Sequence, residues 1–182
     1  MGRQAVRQWF LQGIISVAAV AMFSATAWAG TTLPQRKAGY WVSSMVMHMN
    51  MAGQAPDTDN TPMITAMCTD PATDLKVLTT PPFAQCSPPD ISGSGNTYTM
   101  VMSCKDPMGG AQPMVSTSTF TFASDTEMHL VSKTTGTSMT GDETADSKWQ
   151  GSCPAGWVPG DVGRMQNGSI QKNANVLKPA GQ

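Results

Sequence analysis

Charge is scarce in this sequence: 13% of its 182 residues are Asp, Glu, Lys or Arg, and 11 basic side chains nearly balance 12 acidic ones. A nucleic-acid binder needs a clustered basic face, so that class of partner is excluded. The 40% apolar content argues equally against an acidic disordered chain. Long apolar runs are missing as well. The single apolar core, Ile14 to Phe23, is half the ~20 residues that a membrane-crossing helix requires. Two histidines, His48 and His129, are the whole supply. There is no H-E-x-x-H zinc pattern, no G-x-S-x-G nucleophile elbow and no phosphate-cradling glycine loop. No cysteine pair has C-x-x-C spacing, which argues against a thiolate zinc site. No reaction is written in these residues, and the expectation is a protein that is not an enzyme.

The N-terminus carries an address. Arg3 and Arg7 precede the short apolar core, and Ala27-Trp28-Ala29 supplies the small-x-small pattern cut by signal peptidase. Residues 1–29 are therefore expected to be a signal peptide cleaved after Ala29, placing the protein in a bacterial periplasm or outside the cell. No later run is long enough to hold the mature chain in a membrane. Cys68, Cys86, Cys104 and Cys153 all follow the cleavage point, and an even count in an oxidising compartment reads as two disulfides.

Serine and threonine supply 34 residues after Ala29, and threonine favours strands. No stretch holds a helical apolar period, whereas two-residue alternation is frequent. Strands are expected over 38–51, 61–69, 90–92, 97–104, 114–122, 127–135 and 143–151. The proline-rich segment 70–82 reads as a loop with one helical turn around Asp74 to Leu78. Ser92-Gly93-Ser94-Gly95-Asn96 reads as a hairpin turn that sets Cys86 opposite Cys104. That pairing is favoured and leaves Cys68 with Cys153; Cys68 with Cys86, across the proline loop, is the competitor. The result is an all-β domain over residues 30–153, an antiparallel meander of six to seven strands. It should form a barrel-like or strongly curved sheet stapled by disulfides. Residues 154–182 show no periodicity and read as a poorly ordered tail.

These landmarks resemble a family. Gly39-Tyr40-Trp41 is similar to its Gly-Leu-Trp, and Cys68-Thr69-Asp70-Pro71 to its Cys-Leu-Thr-Pro. Cys86, Ser94-Gly95-Asn96-Thr97 and Cys104 follow in order, and Lys148-Trp149-Gln150-Gly151-Ser152-Cys153 is similar to its closing Arg-x-x-Gly-x-Cys. Together they resemble the exported bacterial family catalogued as domain of unknown function 3617, over about residues 34–153. Tyr40, Asp70 and the tail after Cys153 depart from its pattern. The resemblance implies export, disulfides and a β-domain, and no activity.

Methionine is the compositional oddity: 15 residues, 13 of them after Ala29. On the first strand Trp41, Met45, Met47, Met49 and Met51 share one face, and Met100, Met102, Met114 and Met128 alternate on other strands. One expectation is a Met-lined interior, bounded by Trp41, Met45, Met47, Met49, Met100, Met102, Met114 and Met128, that takes an apolar small molecule. A second is copper(I) binding by Met45, Met47, His48, Met49 and Met51, because thioethers are soft ligands. Regular alternation puts His48 on the opposite face, so that set needs a bulge or a ligand from elsewhere such as His129. Otherwise no cofactor is expected. A third is an envelope protein that binds another protein and no small ligand. Simple core packing by flexible methionines is the bland alternative to all three.

Overall fold

The computed structural model describes residues 33–178; the signal-peptide expectation lies outside them. Among the described residues nine strands form: β1 Gly39–Met51, β2 Met63–Thr69, β3 Asp90–Ser94, β4 Thr97–Cys104, β5 Met114–Phe122, β6 Glu127–Thr135, β7 Met139–Gly151, β8 Asp161–Gln166 and β9 Ser169–Asn175. One helix, α1 Pro71–Thr79, follows β2. All nine strands belong to one antiparallel sheet in the order β3-β4-β5-β6-β7-β1-β2-β8-β9. The all-β, disulfide-containing architecture expected from the sequence is therefore observed, with two more strands than the six or seven anticipated.

The order explains the shape. Strands β3 to β7 run as a meander, and β7 then pairs with β1 along Tyr40 to Met51, which returns the sheet to its beginning. A seven-stranded ring would close if β2 met β3. It does not: α1 and the proline loop intervene, and β2 pairs instead with β8. The sheet stays open yet strongly curved, because Ile91 of β3 and Arg164 of β8, near its two ends, border the same internal space.

Gly39 marks the one irregular point of the long β1–β7 ladder, where register shifts between Tyr40 and Trp41. Its φ of +138° suits glycine, and a Cβ there would sit 2.2 Å from the Gly151 carbonyl oxygen. The shift carries Trp41 into the interior, 1% exposed, with its Nε1 donating to the Lys37 carbonyl at 2.9 Å. Trp149 lies across from Trp41 and donates to the Ala38 carbonyl at 3.0 Å.

Two local expectations need correction. The segment after Asp70 is a nine-residue helix, not a loop with a single turn. Asp70 caps it, accepting from the Thr73 amide at 2.7 Å, and Pro71 stands in the first turn, where no N–H is required. The β3–β4 turn is also tighter than anticipated: Ser94 pairs with Thr97, so Ser92 and Gly93 are strand residues and only Gly95-Asn96 turn, with Gly95 at φ +64°. Cys86 still meets Cys104 in an isolated bridge, because the Pro88-Pro89 interruption slips the pairing by one residue.

The disulfides join Cys68 to Cys153 and Cys86 to Cys104. The first ties the end of β2 to the exit of β7, on either side of β1.

The largest correction concerns the tail. Residues 161–175, read from sequence as poorly ordered, form the β8–β9 hairpin. Its turn is Asn167-Gly168, at φ +50° and +79°, a two-residue type that Asn-Gly favours strongly. The hairpin is anchored through the β2–β8 ladder, a Gly160 N–H bond to the Cys68 carbonyl of 2.8 Å and an edge-on Tyr40–Trp157 contact at 5.4 Å. Asp161 sits inside it. Desolvation pushes that carboxyl's pKa up, but hydrogen bonds from Val158, Asn175 and Lys172 outweigh this and lower it.

A divided interior as the candidate functional site

Register decides which side chains share the concave face. Opposite Ser43, Met45, Met47 and Met49 of β1 stand Ser147, Ala145, Glu143 and Gly141 of β7. Opposite those stand Met128, Leu130, Ser132 and Thr134 of β6. The face continues through Phe122, Phe120, Ser118 and Ser116 of β5, then Met100 and Met102 of β4. Every residue of the expected Met-lined set lies on this one face, and His48 lies on the other. The methionines nevertheless do not gather into one place.

Two cavities divide the interior along the strands. The larger, about 660 Å³, lies near α1 and is bordered by Met45, Met63, Met67, Phe120, Met128 and Leu130, among others. The smaller, about 170 Å³, lies further along the same strands and is bordered by Met47, Met49, Met114 and Met139 with Ser132, Thr134, Gly141, Asp142 and Glu143. Of the expected set, Met45 and Met128 reach the large space, and Met47, Met49 and Met114 the small one. Trp41 packs in the core, and Met100 and Met102 border neither. The copper set is not brought together: Met45 faces the large cavity, Met51 neither, and His48 points away. Its neighbour in the expectation, His129, lies on the same outer side, paired with exposed Asp146 at 2.8 Å.

Sequence reading overlooked three features. Met63 and Met67 join Met45 in the large cavity, a placement visible only once β2 is registered on β1. Hydroxyls form a seam across the concave face: Ser43 to Ser147 at 2.7 Å, Ser118 to Ser132 at 2.9 Å and Thr134 to Ser116 at 3.3 Å. These satisfy one another, so burying them carries little desolvation penalty. The third is an ionic clamp at the α1 end. Arg36 donates Nε to Asp74 Oδ2 at 2.9 Å and a second nitrogen to Oδ1, while its guanidinium lies 4.8 Å above the Trp41 ring.

Glu143 stands where the two cavities meet, bordering both. No side chain among the described residues hydrogen-bonds its carboxylate. Desolvation by burial raises its pKa. A carboxyl that holds its proton more tightly when folded costs stability once pH exceeds its unfolded value. Glu143→Gln is therefore expected to raise Tm at pH 7. The gain should vanish below about pH 4, where the carboxyl is increasingly protonated in both states. Thermal unfolding at the two pH values checks this, and a lower Tm at pH 7 would contradict it.

The family model for a protein of unknown function, domain 3617, matches residues 36–153. This chain belongs to the DUF3617 family. The match spans β1 through the second cysteine of the Cys68–Cys153 bond, so the β8–β9 hairpin lies beyond the DUF3617 match. No curated protein matches the chain. Among solved structures, a redesigned β-barrel covers 66% of this chain and 100% of its own, at 10% identity and a TM-score of 0.28. DUF3617 membership brings no reaction with it, and no helix among the described residues is long and apolar enough to cross a membrane.

Proposed function

We propose that this DUF3617 protein is an exported, non-catalytic binding domain whose large cavity holds an apolar small molecule. The observation that carries this reading is the cavity itself: about 660 Å³ inside the curved sheet, within the 300–1,000 Å³ common for small-molecule sites. Thioethers suit such a wall, because flexible polarizable side chains adapt to ligands of different shape. The two disulfides support an oxidising compartment, in keeping with the leader-like first 29 residues.

Native mass spectrometry of protein purified from its own cell envelope tests the reading, with a co-purifying apolar mass expected. An environment-sensitive naphthylamine dye should bind the emptied protein. Ala145→Phe should weaken that binding at least tenfold, because Ala145, 5% exposed, faces the cavity between Met45 and Leu130. Absence of both a co-purifying mass and dye binding would end the proposal.

A further inference from the structure

We propose that the smaller cavity is a binding site for a soft monovalent cation, copper(I) or silver(I), built from the thioethers of Met47, Met49, Met114 and Met139. This site is independent of the large apolar cavity, and differs from the strand-local Met/His set in using three separate strands. Met47 and Met49 come from β1, Met114 from the start of β5 and Met139 from the start of β7. They converge because β5 and β7 both begin at this end of the sheet, where β1 is finishing.

Four properties of the place fit such an ion. Thioethers are soft donors that select copper(I) over hard cations, and four of them border only about 170 Å³. Space among them is left open by Gly141, which faces inward between Met49 and Thr134 and contributes no side chain; a Cβ there would meet the His48 carbonyl oxygen at 3.2 Å and make ordinary contact with Met49 Cγ and Thr134 Cβ at 3.9 Å. The Glu143 carboxylate, directly across the ladder from Met47, faces the same cavity, and no cation among the described residues pairs with it. Its position supplies a compensating negative charge for a cation held by neutral sulfurs. Finally, Met47 and Met49 are each 41% exposed, which leaves a path for an ion from solution.

The end of the sheet is also held in shape. Asp106, after β4, accepts from the Ser138 hydroxyl at 2.6 Å, from Thr137 Oγ1 at 3.3 Å and from the Met108 amide at 2.8 Å. These bonds lower its pKa, the Ser138 hydroxyl contributing most. The β4–β5 connection is thereby tied to the β6–β7 turn, fixing the bases from which Met114 and Met139 project.

Silver(I), which is redox-inert, is titrated into the mature disulfide-bonded protein carrying carbon-13 methionine methyl labels. The expected result is that the methyl resonances of Met47, Met49, Met114 and Met139 move together and saturate near one equivalent. Copper(I) affinity, read by competition with a chromophoric chelator, should fall at least tenfold in the Met47/Met49/Met114/Met139→Leu variant. It should be unchanged in a Met100/Met102/Met108/Met165→Leu control with the same number of methionines removed outside both cavities. Glu143→Gln should weaken binding several-fold. Silver-induced shifts spread over all methionines, no shifts, or equal losses in the two quadruple variants would overturn the proposal. Because the resonance map is read on the unaltered protein, it decides the matter even if a quadruple variant fails to fold.

Discussion

Removing the bond between Cys68 and Cys153, by serine at both positions, is expected to lower the free energy of unfolding by about 4–5 kcal/mol. The bond closes a sequence separation of 85 residues, and a cross-link restricts the unfolded chain more as its loop lengthens. The Cys86–Cys104 bond closes only 18 and should contribute about 3 kcal/mol by the same reasoning. Location adds to the difference. Cys68 is fully buried, next to the Thr69 and Asp70 residues that launch α1, so its loss also loosens the wall of the large cavity. Urea denaturation of the two double-serine variants gives the comparison. A smaller loss for the Cys68/Cys153 variant than for the Cys86/Cys104 variant would contradict the assignment of the long bond as the principal staple.

Asp74→Ala is the second large effect, an expected loss of about 3–5 kcal/mol. The Arg36 and Asp74 side chains are 11% and 10% exposed, and Thr69 Oγ1 also donates to the same carboxylate. Deleting it leaves the guanidinium buried against Trp41 without an anion, which costs far more than the pair gained by forming. The physical signature is asymmetry: replacing Arg36 and Asp74 together, by Met and Leu, should recover much of the loss. Chemical denaturation of the single and double variants measures this. A loss under 1 kcal/mol for Asp74→Ala would show that water reaches the clamp freely.

Strands β1, β5 and β6 were legible from alternation of side-chain type, a two-residue rhythm that survives without knowledge of any partner; of the three, β6 alternates cleanly between exposed and covered positions. The β8–β9 hairpin was not, since a strand such as Ser169-Ile170-Gln171-Lys172-Asn173-Ala174-Asn175 is exposed along most of its length and has no apolar rhythm to read. Its Asn-Gly turn was the available signal. Helix α1 was obscured by the prolines around it, although Asp70-Pro71 is a start signal rather than a break. The methionine face was visible along each strand, but its division between two cavities was not. That division depends on how far each strand slides against the next, which is a property of ladders and not of composition. The hydroxyl seam escaped for a related reason: serine counts as a strand residue on either face, and only a facing hydroxyl makes its burial inexpensive.

The appended hairpin has a consequence for how the protein is made. Residues 161–175 come after the other described strands in chain order, yet they occupy the border of β2 that the ring leaves unpaired. Until they arrive, that border presents bare amide and carbonyl groups to any neighbouring polypeptide, an invitation to edge-to-edge association. The hairpin thus serves as a built-in selvedge, and a chain in which it has not yet docked is open to association along β2.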